Sequence, residues 1–128
     1  MKLKRIHHVA IIASNYAASK HFYCKILGLT LLEEHYRAES DSWKADLALG
    51  NQYQIELFSF PTPPARPSYP EACGLRHLAF SVDDLDGWIE YLKQHNVDCE
   101  APRIDPYTQK RFTFFADPDG LPLELYSE

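Results

Sequence analysis

The chain has 128 residues, enough for one folded domain but not for two independent hydrophobic cores. Its composition, 45% hydrophobic and 24% charged, is that of a globular protein, and its net charge of −5 argues against a nucleic-acid partner. It shows neither an apolar run of about 18 residues nor a signal peptide, and three scattered cysteines do not predict a disulfide framework, so we expect a cytoplasmic protein without a membrane partner.

The first half of the chain predicts one strand, one helix and three further strands. The apolar run at 5–13 is typical of a strand. Ser14 or Asn15 can cap the helix that follows, and Gly28 marks its end. The three later strands are predicted at 29–37, 43–50 and 52–60.

The second half repeats this order after a connector at 61–73, whose prolines exclude regular structure. A helix is predicted at 84–95, with Asp83 or Asp84 as its cap. Its apolar residues fall on one helical face: Leu85, Trp88, Ile89 and Leu92. The strands of this half are predicted at 74–82, 97–103, 110–116 and 121–127.

These elements predict a single α+β domain over 1–128, built from two tandem βαβββ modules. The first module covers about 5–60 and the second about 74–127.

The two halves also repeat particular residues. IHHVAI at 6–11 is echoed by LRHLAF at 75–80, and YQIELF at 53–58 by LPLELY at 121–126. In this register His8 matches His77 and Glu56 matches Glu124, with a His-to-Glu offset of 48 residues in the first half and 47 in the second. Chance similarity between apolar strands seldom places polar residues in register, so the match indicates a shared role.

Imidazole and carboxylate are ligands of divalent metals. Each glutamate lies between apolar neighbours and, by strand alternation, points to the opposite face from them. Taken singly, none of these residues predicts a metal site. A single glutamate more often faces solvent or an arginine, and a single histidine is more often a hydrogen-bonded core residue. Two inward carboxylates repel each other unless a cation lies between them, so the matched set favours one divalent metal bound by His8, Glu56, His77 and Glu124.

The register selects His8 over His7, which alternation assigns to the other face of the strand. His21, His35 and His95 fall on predicted helices or a strand end and are interpreted as surface or packed residues.

The motifs FYCKILGL, GLRHLAFSVDDL and FFADPDGLPLELY, together with the two repeats, resemble the vicinal oxygen chelate superfamily and within it the glyoxalase I-like branch. The resemblance covers essentially the whole chain. It implies a cupped mixed sheet, the glyoxalase/bleomycin resistance/dihydroxybiphenyl dioxygenase-like fold, with the metal on its inner face. It also implies that Glu124 moves a proton at the carbon beside a chelated carbonyl. Glu56 is the candidate for moving a proton on the opposite face of the substrate.

The expected function is therefore a glyoxalase I-like, metal-dependent lyase or isomerase acting on a small oxygen-chelating substrate. Lactoylglutathione lyases usually have a basic residue and an asparagine for gripping glutathione where this chain has Ile12 and Phe60, so that particular activity is not expected. The alternatives are an extradiol-type dioxygenase, a metal-free drug-binding protein of the bleomycin-resistance kind and a fosfomycin-type thiol transferase.

Further side chains are candidates for contact with the substrate. Arg111 is a candidate anion clamp, although an ion pair at the surface is the commoner role for such a residue. The aromatic candidates are Trp43, Phe58, Tyr107 and Tyr126. The sequence leaves open whether the metal is nickel, zinc, cobalt, manganese or iron. A homodimer is expected, and one chain or two chains exchanging modules can supply the ligands.

Overall fold

The computed structural model describes residues 1–128. The chain divides into two compact units, Met1–Ala65 and Arg66–Glu128. Each unit contains helical structure and a four-stranded mixed sheet in the order strand, helix, strand, strand, strand. The predicted α+β fold of repeated βαβββ modules is therefore confirmed.

In the first unit, the sheet has the strand order β1-β4-β3-β2. Strand β1 is parallel to β4, and the remaining pairs are antiparallel. Helix α1 continues into a π-helical turn, Phe22–Ile26, and Gly28 ends this segment in the left-handed conformation that glycine adopts without strain. The elements are β1 Val9–Ala13, α1 Tyr16–His21, β2 Thr30–Arg37, β3 Ser42–Leu49 and β4 Gln52–Ser59.

In the second unit, the strand order β5-β8-β7-β6 repeats the same arrangement, again with one parallel pair, β5 and β8. Helix α2 begins after Asp84, whose Oδ1 accepts a hydrogen bond from the Gly87 N–H at 2.9 Å. The elements are β5 Leu78–Val82, α2 Leu85–Gln94, β6 Arg103–Ile104, β7 Arg111–Ala116 and β8 Pro122–Ser127.

The core explains which face of each sheet is left for polar residues. Strand β4 buries Ile55 and Leu57, and β8 buries Leu123 and Leu125. Helix α1 contacts β4, and helix α2 contacts β8. Because alternate side chains point to opposite faces, the glutamate between each buried pair lies on the other face of its sheet. Burying each of these aliphatic side chains stabilises the fold by about 1.5–3 kcal/mol, which fixes the register of both strands.

Three strands are much shorter than predicted. Strand β5, expected from residue 74, begins at Leu78. Strand β1 begins at Val9, so residues 5–8 precede it. The strand expected at 97–103 is reduced to Arg103–Ile104, because Pro102 has no N–H to donate to a neighbouring strand. Glu100 nevertheless donates its N–H to the Phe114 carbonyl at 2.9 Å, so this segment stays attached to β7. No helix is long and apolar enough to cross a membrane.

We predict that Asp84→Ala lowers the free energy of unfolding by about 1 kcal/mol, because α2 loses the side-chain acceptor at its N-terminus. Asp83→Ala is the matched control, since Asp83 is exposed and does not cap the helix. Chemical denaturation of both variants measures the difference. Equal losses in the two variants would contradict the assignment of the cap.

Candidate functional site

An inner strand of each sheet, β4 or β8, carries one of the two predicted glutamates. Glu56 lies opposite Ala10 on β1 and Asp46 on β3. Glu124 lies opposite Ala79 on β5 and Phe114 on β7. The alanine on the parallel neighbour leaves room beside each carboxylate, and the histidine that precedes this neighbouring strand reaches into it.

In the first unit, the Nε2 atom of His8 lies 2.5 Å from Oε2 of Glu56. Only 8% of Glu56 is exposed, so its carboxylate is largely removed from water. In the second unit, the Nε2 atom of His77 lies 3.0 Å from Oε2 of Glu124, which is 9% exposed. Each unit therefore brings its own predicted histidine and glutamate into contact.

The surroundings of Glu56 are polar. Lys44 places its Nζ 3.3 Å from Glu56 Oε1 and 2.7 Å from Asp46 Oδ1. Burial acts to raise the pKa of Glu56, but hydrogen bonds from Tyr53 and Lys44 outweigh burial and hold the pKa below its usual range. Glu56 is thus a well-anchored and weakly basic carboxylate.

The surroundings of Glu124 are aromatic instead. Phe114 occupies the position opposite Glu124 that Asp46 occupies opposite Glu56. Its ring meets the His77 ring edge-on, with the centroids 5.0 Å apart. No lysine or arginine forms an ion pair with Glu124, whose ionic partner is His77.

His7 lies at the first pair, not on the opposite face as alternation suggested. Its Nδ1 is 2.9 Å from Nδ1 of His8, so one nitrogen donates a hydrogen bond and the other accepts it. The His7 ring also meets Tyr53, at a centroid distance of 5.3 Å. Alternation does not apply to His7, because β1 begins only at Val9. His7 therefore orients the His8 ring with Nε2 toward Glu56.

The backbone before His77 is held by a residue that the sequence analysis did not single out. The Arg66 guanidinium donates to the carbonyls of Leu75 and Arg76, at 2.7 and 2.9 Å. Arg76 in turn donates to the Ser68 carbonyl at 3.0 Å. These bonds tie the irregular segment to itself and fix where His77 enters the site. No sequence signal distinguishes this arginine from a surface arginine.

The second unit also contains a cavity of about 790 Å³ next to its histidine–glutamate pair. His77 and Glu124 line it, together with Phe112, Phe114 and Arg103. Tyr107, a sequence candidate for substrate contact, lines it from the turn between β6 and β7 and is 94% exposed. The volume is suited to a small-molecule ligand.

Other substrate candidates lie elsewhere. Arg111 forms a bidentate ion pair with Asp86 at 2.9 and 3.0 Å and does not line the cavity. Trp43 stacks on Tyr16 of α1 at 5.3 Å, on the opposite face of β3 from Lys44. Phe58 lies on the Glu56 face, stacked on Phe60.

Tyr126 extends the aromatic wall of β7 and β8. Its ring stacks on Phe112 at 6.3 Å, and its hydroxyl donates to Asp105 Oδ2 at 3.0 Å.

Comparison with known proteins gives a consistent result along the chain. The sequence model of the Glyoxalase/Bleomycin resistance protein/Dioxygenase superfamily matches residues 5–125. The uncharacterized protein YaeR of Escherichia coli (strain K12) is 71% identical over 126 residues, 98% of each chain. The crystal structure of a glyoxalase family protein from Enterococcus faecalis matches with a TM-score of 0.90 at 52% identity, covering 98% of this chain and 99% of the other. The metallothiol transferase FosB of Staphylococcus haemolyticus is 31% identical, covering 98% of this chain and 84% of FosB.

We predict that Arg66→Ala lowers the free energy of unfolding by about 1–3 kcal/mol, because two backbone carbonyls lose a charged donor. Amide hydrogen exchange should accelerate at residues 75–78, next to His77. Arg5→Ala, at an exposed arginine, is the control and should leave both readouts unchanged. Unchanged exchange at 75–78 in the Arg66 variant would show that this segment is held by other contacts.

Proposed function

The chain belongs to the Glyoxalase/Bleomycin resistance protein/Dioxygenase superfamily, and we propose that it is a metal-dependent lyase or isomerase of the glyoxalase type. The proposed substrate is small and binds through two adjacent oxygens. The observation that carries the proposal is the contact of a buried carboxylate with an imidazole at matched positions of both units.

The proposed ligands of one divalent metal are His8, Glu56, His77 and Glu124. The chemistry of this donor set fits such an ion, because in each unit an imidazole nitrogen contacts a carboxylate oxygen, and both kinds of atom ligate divalent metals. Nickel, zinc, cobalt, manganese and iron all accept these donors. Each unit supplies one histidine and one glutamate to the proposed metal. The two units that share a metal can belong to the same chain or to two different chains.

An imidazole–carboxylate contact alone would not support a metal. His35 and Glu33 also approach each other, at 3.3 Å, but their side chains are 61% and 69% exposed. Water solvates both groups there, so neither needs a cation. The proposed ligands differ because both glutamates are buried and because their positions repeat.

When bound, the metal supplies Lewis-acid stabilisation of the negative charge that develops on the substrate oxygens as a proton leaves carbon. The protein must then provide a carboxylate that accepts this proton and returns it. We assign this role to Glu124. Glu56 is held by Lys44 and Tyr53, whose hydrogen bonds keep its pKa below the usual range, so we assign it the role of a fixed ligand.

Recognition of glutathione is not part of the proposal. Ile12 and Phe60 stand where lactoylglutathione lyases place polar residues that grip glutathione. Phe60 stacks on Phe58 at 6.3 Å, and Ile12 is an exposed aliphatic side chain on the Glu56 face. Neither side chain can donate a hydrogen bond to a peptide or carboxylate.

Transfer of a thiol to a small electrophile is the second candidate. The similarity to the metallothiol transferase FosB favours it. The two reactions differ in their net consumption of thiol, since each transfer uses up one free thiol and isomerisation uses none. Loss of free thiol during turnover therefore distinguishes them.

We predict that the untagged protein, purified without chelators, contains about one transition metal per ligand set, and that His77→Ala and Glu124→Gln lower this content severalfold. Elemental mass spectrometry measures it. The matched controls are His35→Ala and Glu33→Gln, which alter the exposed imidazole–carboxylate pair. Absence of metal after reconstitution with all five candidate ions would overturn the proposed function.

We also predict that the metal-loaded protein exchanges the hydroxymethyl protons of hydroxyacetone, or of a larger hydroxyketone, with deuterium from solvent. Glu124→Gln should slow this exchange by about 10²- to 10⁴-fold per bound metal, because the group that moves the proton is lost. Glu56→Gln should reduce metal affinity more than the exchange rate per bound metal. Proton nuclear magnetic resonance follows the exchange, and equal rates in wild type and Glu124→Gln would contradict the assignment.

A further inference from the structure

The cavity beside His77 and Glu124 contains an arginine for which the proposed reaction has no role. Arg103, the first residue of β6, lines the cavity. Its guanidinium carbon lies 4.9 Å from the ring centroid of Phe112 and 5.4 Å from that of Phe114. Both rings belong to β7, so the cation rests on an aromatic wall of the cavity.

Only part of the hydrogen-bonding capacity of Arg103 is used within the protein. Its Nε donates to Glu100 Oε1 at 2.8 Å. This bond fixes the guanidinium plane and leaves the two Nη groups to donate elsewhere. Two Nη groups side by side match the two oxygens of a carboxylate. About half of the side chain is exposed, so a ligand in the cavity can reach it.

The aromatic wall connects this cation to the proposed metal ligands. Phe114 contacts both the Arg103 guanidinium and the His77 ring. The two groups therefore share one phenyl ring as a neighbour, so a ligand with a chain of a few carbon atoms can contact both. Phe112 is held in turn by stacking on Tyr126.

The first unit also places a guanidinium over two aromatic rings, but these rings lie at the end of β4 and not on β3, the strand that corresponds to β7. Arg37, at the end of β2, lies 4.9 Å from the Phe58 ring centroid and 5.8 Å from that of Phe60. These rings follow Glu56 on the same face of the sheet. Each unit thus combines its histidine–glutamate pair with an arginine over aromatic rings, although the rings come from different strands of the repeat.

We infer that Arg103 binds the carboxylate of an anionic substrate whose oxygen-chelating end lies at His77 and Glu124. This inference rests on the proposed function for the location of the chelating end. A carboxylate is favoured over a phosphate, because Asp98, Glu100 and Asp105 line the same cavity and repel a dianion more strongly than a monoanion. The substrate class is a short hydroxyketone or oxo compound with a carboxylate at its far end.

The test compares two probes that differ only at that end. 5-Hydroxy-4-oxopentanoate carries a hydroxyketone and a carboxylate, and 1-hydroxypentan-2-one carries a methyl group in place of the carboxylate. Calorimetric titration of the metal-loaded protein should show about 10- to 100-fold tighter binding of the acid, the range expected for a charge-assisted hydrogen bond. Arg103→Gln should abolish this preference without weakening the neutral probe. Arg103→Lys should keep part of it.

Lys93→Gln is the matched control, because it removes one positive charge from an exposed position on α2 and should preserve the preference. Circular dichroism checks that each variant folds. Inorganic phosphate should compete with the acid only weakly, and displacement at similar concentrations would contradict the choice of carboxylate.

The metal-free protein separates this inference from the proposed function. The preference for the acid should persist there, since Arg103 remains, even though both probes bind more weakly. A protein that binds no metal but keeps an Arg103-dependent preference would overturn the proposed function alone. Equal affinity for both probes, or a preference that Arg103→Gln leaves intact, would overturn the inference.

Discussion

A buried carboxylate on an inner strand of each sheet is the constraint on which the site depends. The neighbours Ile55 and Leu57, and likewise Leu123 and Leu125, must lie in the core, so the glutamate between them cannot turn to the other face without exposing them. A carboxylate with 8% or 9% exposure is costly unless another group compensates its charge. Core packing thus keeps each carboxylate in place, and its charge requires a nearby donor or cation.

The two units meet this requirement with different chemistry on the same backbone. Glu56 receives hydrogen bonds from Lys44 and Tyr53, whereas Glu124 has His77 and the ring of Phe114 beside it. A carboxylate held by an ammonium group has little tendency to accept a proton. The repeat therefore places two equivalent carboxylates in different surroundings, which is why the proposed reaction assigns proton transfer to Glu124 and a fixed ligand role to Glu56.

The sequence predicted the placement of a side chain where a single strand or helix determines it. It did not predict contacts between segments that are distant along the chain. The internal repeat matched the two histidines with the two glutamates, and strand alternation placed each glutamate on the face opposite its apolar neighbours, because residue type and local period carry that information. Lys44 and Arg103 were missed because their roles depend on which residues face them across the sheet. Nor could the sequence show that Arg111, and not Arg103, is engaged by Asp86, since that carboxylate is contributed by α2.

One position contributes to two differences between the units, the charge beside the glutamate and the wall beneath Arg103. Lys44 pairs with Phe58, two residues after Glu56, and Phe112 pairs with Tyr126, two residues after Glu124. These positions are equivalent in the repeat. Lysine there supplies an ammonium group to the neighbouring carboxylate. Phenylalanine there supplies no charge to Glu124 and forms the wall on which Arg103 rests. In the proposed reaction, phenylalanine in place of lysine has two consequences. Glu124 keeps no ammonium neighbour and can accept a proton, and the Arg103 guanidinium that binds the substrate packs on the Phe112 ring. Proton transfer and anion recognition are therefore expected in the same unit.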